Sequence, residues 1–367
     1  MRKILLATTA LVGFAVAGAA EAATSPLTVT VGGGVEFVAG AAHESKASGA
    51  INTTGGDFES IYSLNFGVAG KAANGIEYGG DIVIDNDVDS LTLEGSSANI
   101  GVSKADIFMS GAFGKIVLGD TRGATELSVK APSVVGIRYL DFLGAGNYAK
   151  NLVTGVDSLD HSTNVTYFTP KVGNEMHKVQ AGVTYVPQFY EFGSDVQRTG
   201  SSAYRNVVKG ALAYTGNFKP VAVSLSGDIV TAAASRSAAH ATTARPFTSF
   251  GVGMQAAYNG FTFGGNYANM GHYNTIIGQD KEQQQFGAGV TYEFNKVTVG
   301  ANYLGGEGYS SFAGDYAKEF NNYALGGTYT WAPGLSTNVN GVLFGQKTEA
   351  GLKNDGYVLL VSQKLAF

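Results

Sequence analysis

The chain closes on GYVLLVSQKLAF (356–367). Counted back in twos from Phe367, the residues are Leu365, Gln363, Val361, Leu359 and Tyr357, apolar except for Gln363. The intervening set, Ala366, Lys364, Ser362, Leu360 and Val358, is mixed. A period of two is the signature of a strand with unlike faces. This one ends on an aromatic ring with nothing after it.

The same alternation runs through the chain. In LTVTVGGGVEF, Leu27, Val29, Val31, Val35 and Phe37 oppose Thr28, Thr30 and Glu36. In IEYGGDIVID, Ile76, Tyr78, Ile82 and Ile84 oppose Glu77, Asp81 and Asp85. Around 286–294, Phe286, Ala288, Val290, Tyr292 and Phe294 oppose glycines, Thr291 and Glu293. No sustained helical period is present.

The breaks alternate in length. Short ones lie at 71–75, 110–114, 170–175, 216–220, 259–260, 295–296 and 332–334. Long ones lie near 39–56, 86–97, 122–162, 188–203, 230–247, 271–283, 305–320 and 346–355. Seven short and eight long connections imply sixteen strands, with both termini on the short-turn side. Asn259-Gly260 between alternating segments is a strong hairpin signal.

A soluble sandwich would hide its apolar face and show its polar one to water. Here the apolar face carries aromatic rings toward strand ends: Tyr78, Tyr258, Phe261, Phe294 and Trp331 on the turn side, and Phe58, Tyr62, Phe250, Tyr267, Phe286, Tyr303 and Tyr323 on the loop side. Aliphatics and glycine lie between, the pattern of an apolar band between aromatic girdles. The other face, rich in Gly, Ser, Thr, Asn, Gln and scattered charge, suits a water-lined interior rather than a dry core. The expected fold is all-β: a transmembrane antiparallel β-barrel of about sixteen strands, closed so that no edge meets lipid.

The front of the chain fits export. Arg2 and Lys3 precede an apolar run from Ile4 to Ala19, then Ala20-Glu21-Ala22, an A-x-A site. An uncleaved anchor is the alternative, disfavoured by the short Ala/Gly-rich core. Residues 1–22 are therefore expected to be a signal peptide and 23–367 the barrel domain. Loss of Arg2, Lys3 and Glu21 takes the net charge from −5 to −6, which gives no charge reason to bind nucleic acid. Cysteine is absent, so disulfides do not hold this exported chain together.

These marks together resemble the general porins of the Gram-negative outer membrane over essentially the whole mature chain. The residues that carry the resemblance are the signal peptide, the loop alternation, KIVLGDTRGA (115–124) leading into the longest loop, and the terminal strand ending in Phe367. The resemblance implies sixteen strands, a homotrimer and a third long loop bent inward to narrow the pore. It also implies that Phe367 is read by the barrel assembly machinery before the last strand closes on the first.

Residues 122–162 form the one long break that does not alternate, and loops of this length are usually functional or disordered. As a constriction it offers Glu126, Asp141, Asp157 and Asp160 against Lys130, Arg138, Lys150 and the root residue Arg122. By parity, Lys178, Lys209 and Lys364 face the lumen, as do Glu36, Glu59, Glu77, Asp81, Asp85, Asp228 and Glu293. The excess of acids suggests weak cation preference. No dense arginine cluster marks one wall segment.

Asp85, Asp87 and Asp89 form an oxygen-rich run, but Ser90 and Ser96 stand where an EF-hand needs Gly and Glu. A solvated acidic loop, or weak Ca²⁺ binding shared with lipopolysaccharide, are the remaining readings. The five histidines have no metal-ligand spacing, and no cofactor motif is present. Two other functions stay open. A substrate-specific channel needs an ordered lumenal ladder; Phe168 and Phe344 face inward by parity, but two separate rings are not a slide. A barrel enzyme needs a Ser/His/acid set, and Asp160-His161-Ser162 is the nearest, though neighbours in a strand point to opposite faces.

Overall fold

Alternating sequence becomes alternating exposure. The computed structural model describes residues 27–45, 55–86, 101–133, 148–149, 161–189, 203–235, 244–273, 275, 282–307, 309–310, 316–348, 351 and 353–367. They contain sixteen long strands: β1 (Thr28–Glu44), β2 (Gly56–Lys71), β3 (Glu77–Asp85), β4 (Gly101–Gly111), β5 (Gly114–Thr121), β6 (Ser162–Phe168), β7 (His177–Gln188) and β8 (Tyr204–Phe218), followed by β9 (Val221–Ala234), β10 (Phe247–Tyr258), β11 (Phe261–Gly271), β12 (Gln283–Phe294), β13 (Val297–Glu307), β14 (Tyr316–Ala332), β15 (Leu335–Thr348) and β16 (Lys353–Ala366). Two dipeptides, Val172–Gly173 and Tyr309–Ser310, prolong β6 and β13.

Each strand pairs antiparallel with its sequence neighbours, and β1 also pairs with β16, so the sheet closes on itself. The turns fall where the short breaks do. Asn259 and Gly260 both have positive φ, 47° and 83°, the geometry of a two-residue primed hairpin turn. Two loops are shorter than expected. Strand β1 runs on to Glu44 because its small residues Ala39 to Ala42 still pair with both neighbours, and β15 and β16 stay paired up to Lys347 and Lys353.

One face of the strands is exposed and apolar on every side: Val35 and Phe37, Ile107 and Met109, Leu212, Val252 and Met254, Leu325 and Leu343. Among the described residues no helix is long and apolar enough to cross a membrane. The outward face of the closed sheet carries the apolar band between aromatic girdles that a membrane-spanning barrel would need. The girdle rings pack side by side, Phe261–Tyr292 stacked at 4.3 Å and Tyr303–Tyr323 tilted at 5.0 Å between centroids.

The closing seam runs from Gly34 opposite Ala366 to Glu44 opposite Gly356. Below it, Phe367 N–H donates to the Gly33 carbonyl at 3.0 Å and Gly33 N–H to the Phe367 carbonyl at 2.9 Å. Gln363, the polar interruption of the last apolar face, accepts from Thr337 Oγ1 at 2.6 Å and donates to the Ser336 carbonyl at 3.0 Å. Trp331 Nε1 donates to the same Thr337 hydroxyl at 2.8 Å, so this rim patch has its polar groups satisfied.

The inward face departs from a uniformly wet wall. One apolar cluster joins Val38, Leu304, Phe320, Ala324, Val342, Phe344, Val358 and Leu360 of β1 and β13–β16 with Ala149. A second joins Val186, Tyr204, Val207, Val230, Phe247 and Met270 of β7–β11 with Phe189 and Tyr273. Both are apolar side chains on a face that also carries Asn, Ser and Thr. The loop residues Tyr148 and Ala149 pack against the first cluster, while Phe189 and Tyr273 belong to the second.

Candidate pore constriction

The segment after β5 turns into the barrel at a root held by hydroxyl and amide groups. Gly123 has φ 72°, and a Cβ there would overlap Thr184. Ala124 N–H donates to Thr184 Oγ1 at 2.7 Å, and Thr184 Oγ1 lies 2.7 Å from Thr166 Oγ1. Thr166 donates to Asn164 Oδ1 at 2.8 Å, and Asn164 Nδ2 donates to the Thr121 carbonyl at 2.7 Å and the Ser162 carbonyl at 2.8 Å. The two ends of the long loop are thereby tied to each other and to β7. A short 3-10 helix, Gly123–Leu127, follows the root.

Residues 128–132 then run along the inner wall across β9, β10, β11 and β12. Ser128 Oγ donates to Asp228 Oδ2 at 2.8 Å, Val129 N–H to Ser226 Oγ at 2.6 Å and Ala131 N–H to Asn266 Oδ1 at 3.0 Å. Gln255 Nε2 donates to the Lys130 carbonyl at 2.6 Å. Glycine makes the approach possible: a Cβ on Gly253 would overlap the Val129 carbonyl, one on Gly289 the Pro132 carbonyl, and one on Gly264 would lie 2.8 Å from Pro132 Cδ. Further on, the Tyr148 ring lies against Gly40 of β1, and Ala149 sits in the first apolar cluster. The loop therefore touches the wall at β7, along β9–β12 and again at β1.

The charges at the root are mixed. Lys104 on β4 pairs with Asp106 at 3.0 Å and Asp81 at 3.4 Å. Burial within the barrel raises the Glu126 carboxyl pKa, opposed by Lys104 and Lys115 and reinforced by Asp106. His161, at the far end of the loop, is pushed down to about 4 by burial first and then by Arg122, against a hydrogen bond to the Ser103 backbone. Tyr148 is pushed up to about 12, by burial first and then by Glu59 and Asp57.

Register sets Glu36, Glu59, Glu77, Asp81, Lys178, Lys209, Glu293 and Lys364 on the face opposite the exposed apolar residues of their strands. Many are compensated. Glu36 accepts from Ser362 Oγ at 2.5 Å and lies 3.9 Å from Lys364, while Lys71 pairs with Glu77 at 3.2 Å. Asn338 donates to Ser362 at 2.9 Å and accepts from Thr328 at 2.7 Å, so one polar chain crosses β14, β15, β16 and β1. Lys209 is fully buried rather than water-facing, because the loop root covers it.

Of the loop candidates, Arg122, Glu126 and Lys130 lie in the described segment after β5, whereas Arg138, Asp141, Lys150, Asp157 and Asp160 lie outside the described residues. Asp85 accepts from Ser103 Oγ at 2.6 Å; Asp87 and Asp89 also lie outside. Ser162 Oγ donates to the His161 carbonyl at 2.7 Å. Phe168 and Phe344 face inward but are buried and form no ladder. Reading the sequence missed the Thr121/Asn164/Thr166/Thr184 root network and the docking groups Ser226, Gln255 and Asn266. Strand parity alone gives the face of such side chains and not what they touch.

A family model described as Gram-negative porin matches residues 7–347. A search of the curated proteins finds no match. Among solved structures, the chain is similar to in-vitro folded OmpT, an outer membrane protein of Vibrio cholerae in trimer form: TM-score 0.59, 11% identity, 93% of this chain and 99% of that one. It is also similar to a loop L8 deletion mutant of that OmpT, at TM-score 0.58, 13% identity, 93% of this chain and 99% of the other. A porin refined at 1.8 Å gives TM-score 0.54 at 16% identity, covering 92% of this chain and all of that one. The family match spans nearly the whole chain and the barrel agrees with it: this chain belongs to the Gram-negative porin family.

Proposed function

We propose that this outer-membrane barrel is a general diffusion pore for ions and small hydrophilic solutes, weakly selective for cations and without enzymatic activity. The observation that carries the reading is the loop segment at 128–132, hydrogen-bonded along the inner wall of a closed sixteen-stranded barrel. A loop so held narrows a water column without moving parts or a cofactor. Weak selectivity follows from the inward acids, which outnumber the bases but are partly neutralised by Lys71, Lys104 and Lys364. The related OmpT structure is described as a trimer, and we extend that state to this chain. Cleavage after Ala22, reading of Phe367 by the assembly machinery, and contact of the outer rim with lipid and lipopolysaccharide belong to the same proposal.

Single-channel recording in a planar bilayer under a salt gradient tests it. Large ohmic steps, with a reversal potential of the sign for cations, are expected. Silence from folded protein rejects the diffusion pore.

The raised Glu126 carboxyl gives a second test. Its proton binds at a higher pH than that of an ordinary glutamate, so its negative charge is lost earlier on acidification than it would be in water. The cation-to-anion permeability ratio is expected to fall, by about a factor of two, as this carboxyl takes up its proton. In Glu126→Gln that early step should vanish. If the variant titrates like the wild type, Glu126 does not face the permeating ions.

A further inference from the structure

Lys209 on β8 is the one lysine among the largest fully buried side chains of the described residues. Its ammonium donates to the Arg122 carbonyl at 3.2 Å, at the point where the chain leaves β5 for the lumen. It also stands 5.5 Å from the centre of the Phe189 ring, at the start of the loop after β7. Phe189 in turn packs edge-on against Tyr204 and Tyr273 of the second apolar cluster, at 6.5 and 6.3 Å. One buried cation thus joins a strand, the root of the constriction loop and the aromatic core inside the mouth. A buried charge is tolerated only where groups of fixed position satisfy it, and those groups are in turn held in place by it.

We propose that Lys209 is a positioning residue for the pore: it clamps the root of the 122–161 loop without meeting a permeating ion. The proposal rests on the pore reading above. It differs from a role as a charged wall residue in a measurable way. A wall charge acts through its field, which is screened within about 3 Å at 1 M salt. A clamp acts through the position of the loop and is indifferent to salt.

The test is single-channel recording of Lys209→Met and Lys209→Arg at 0.1 and 1 M KCl, with thermal unfolding in detergent as the fold control. Wild-type protein without channels would reject the pore reading itself. With conducting wild type, Lys209→Met is expected to unfold at nearly the same temperature. Its open-channel current noise should rise severalfold, and its conductance should change by about twofold, equally at both salts. Lys209→Arg keeps the cation and its donors and is expected to restore quiet openings. A change in Lys209→Met that disappears at 1 M KCl would make Lys209 a wall charge and overturn the clamp, as would unchanged noise and conductance. If Lys209→Met does not assemble, Phe189→Leu keeps the cation and an apolar side chain in the cluster while removing the ring beneath the ammonium. A smaller rise in noise is then expected, and quiet wild-type openings in that variant overturn the proposal.

Discussion

Replacing Gly253 by valine is expected to lower single-channel conductance by about twofold or more while leaving the barrel folded. Gly253 is an inward position of β10, and a side chain there would occupy the space of the Val129 carbonyl. The wall cannot yield, because β10 is bonded on both sides to β9 and β11. The loop must yield instead, and it can move only into the lumen. Its bonds to Ser226 and Asn266 would stretch or break with it. Valine itself suits a strand, so sheet stability should change little. The control is Gly227→Val on the neighbouring strand. Gly227 faces outward, and the nearest atom to its added Cβ is a carbonyl oxygen 3.8 Å away. Conductance and unfolding temperature of that variant should match the wild type. If Gly253→Val conducts normally, the loop is not held against the wall in the working channel.

How far such a site can be read from sequence depends on whether the information is local. The strand faces were legible because period two is written in every segment, and the alternation of short and long breaks gave the strand count and the side of the termini. The glycines within strands mark smooth wall positions in the sequence itself. What they are smooth for was hidden, since Val129 and Gly253 are far apart in the chain. Lys209 shows the same limit. Parity put its side chain inside the barrel, but only the fold places the Arg122 carbonyl and the Phe189 ring around it. Counting inward acids overstated the available charge. Glu36 and Lys364 belong to opposite ends of the chain and become neighbours only when β16 closes on β1. The apolar stretches inside the barrel were misread as part of a wet face for a related reason. Val38, Val358 and Leu360 alternate as strand residues should, and nothing near them in sequence announces the loop residue Ala149 with which they cluster.

Deleting Phe367 is expected to reduce closed, heat-resistant barrel by about an order of magnitude, both in refolding from denaturant and in cells. The residue exchanges both backbone hydrogen bonds with Gly33, so its loss leaves two groups of β1 unpaired at the seam. Each unpaired backbone group facing hydrocarbon costs several kcal/mol, and an open seam exposes strand edges. Phe367→Ala separates this contribution from that of the ring. It keeps both backbone bonds and loses a ring that lies over Gly33, where a Cβ would stand 3.2 Å from Phe367 Cζ. In detergent the alanine variant should refold nearly as well as wild type, because closure depends on the backbone pairs. In cells it should accumulate poorly, because the proposed assembly machinery would have lost the ring it reads. Equal failure in both settings would assign the ring to packing at the seam. Normal accumulation in cells would remove Phe367 from recognition and leave only its part in closing the sheet.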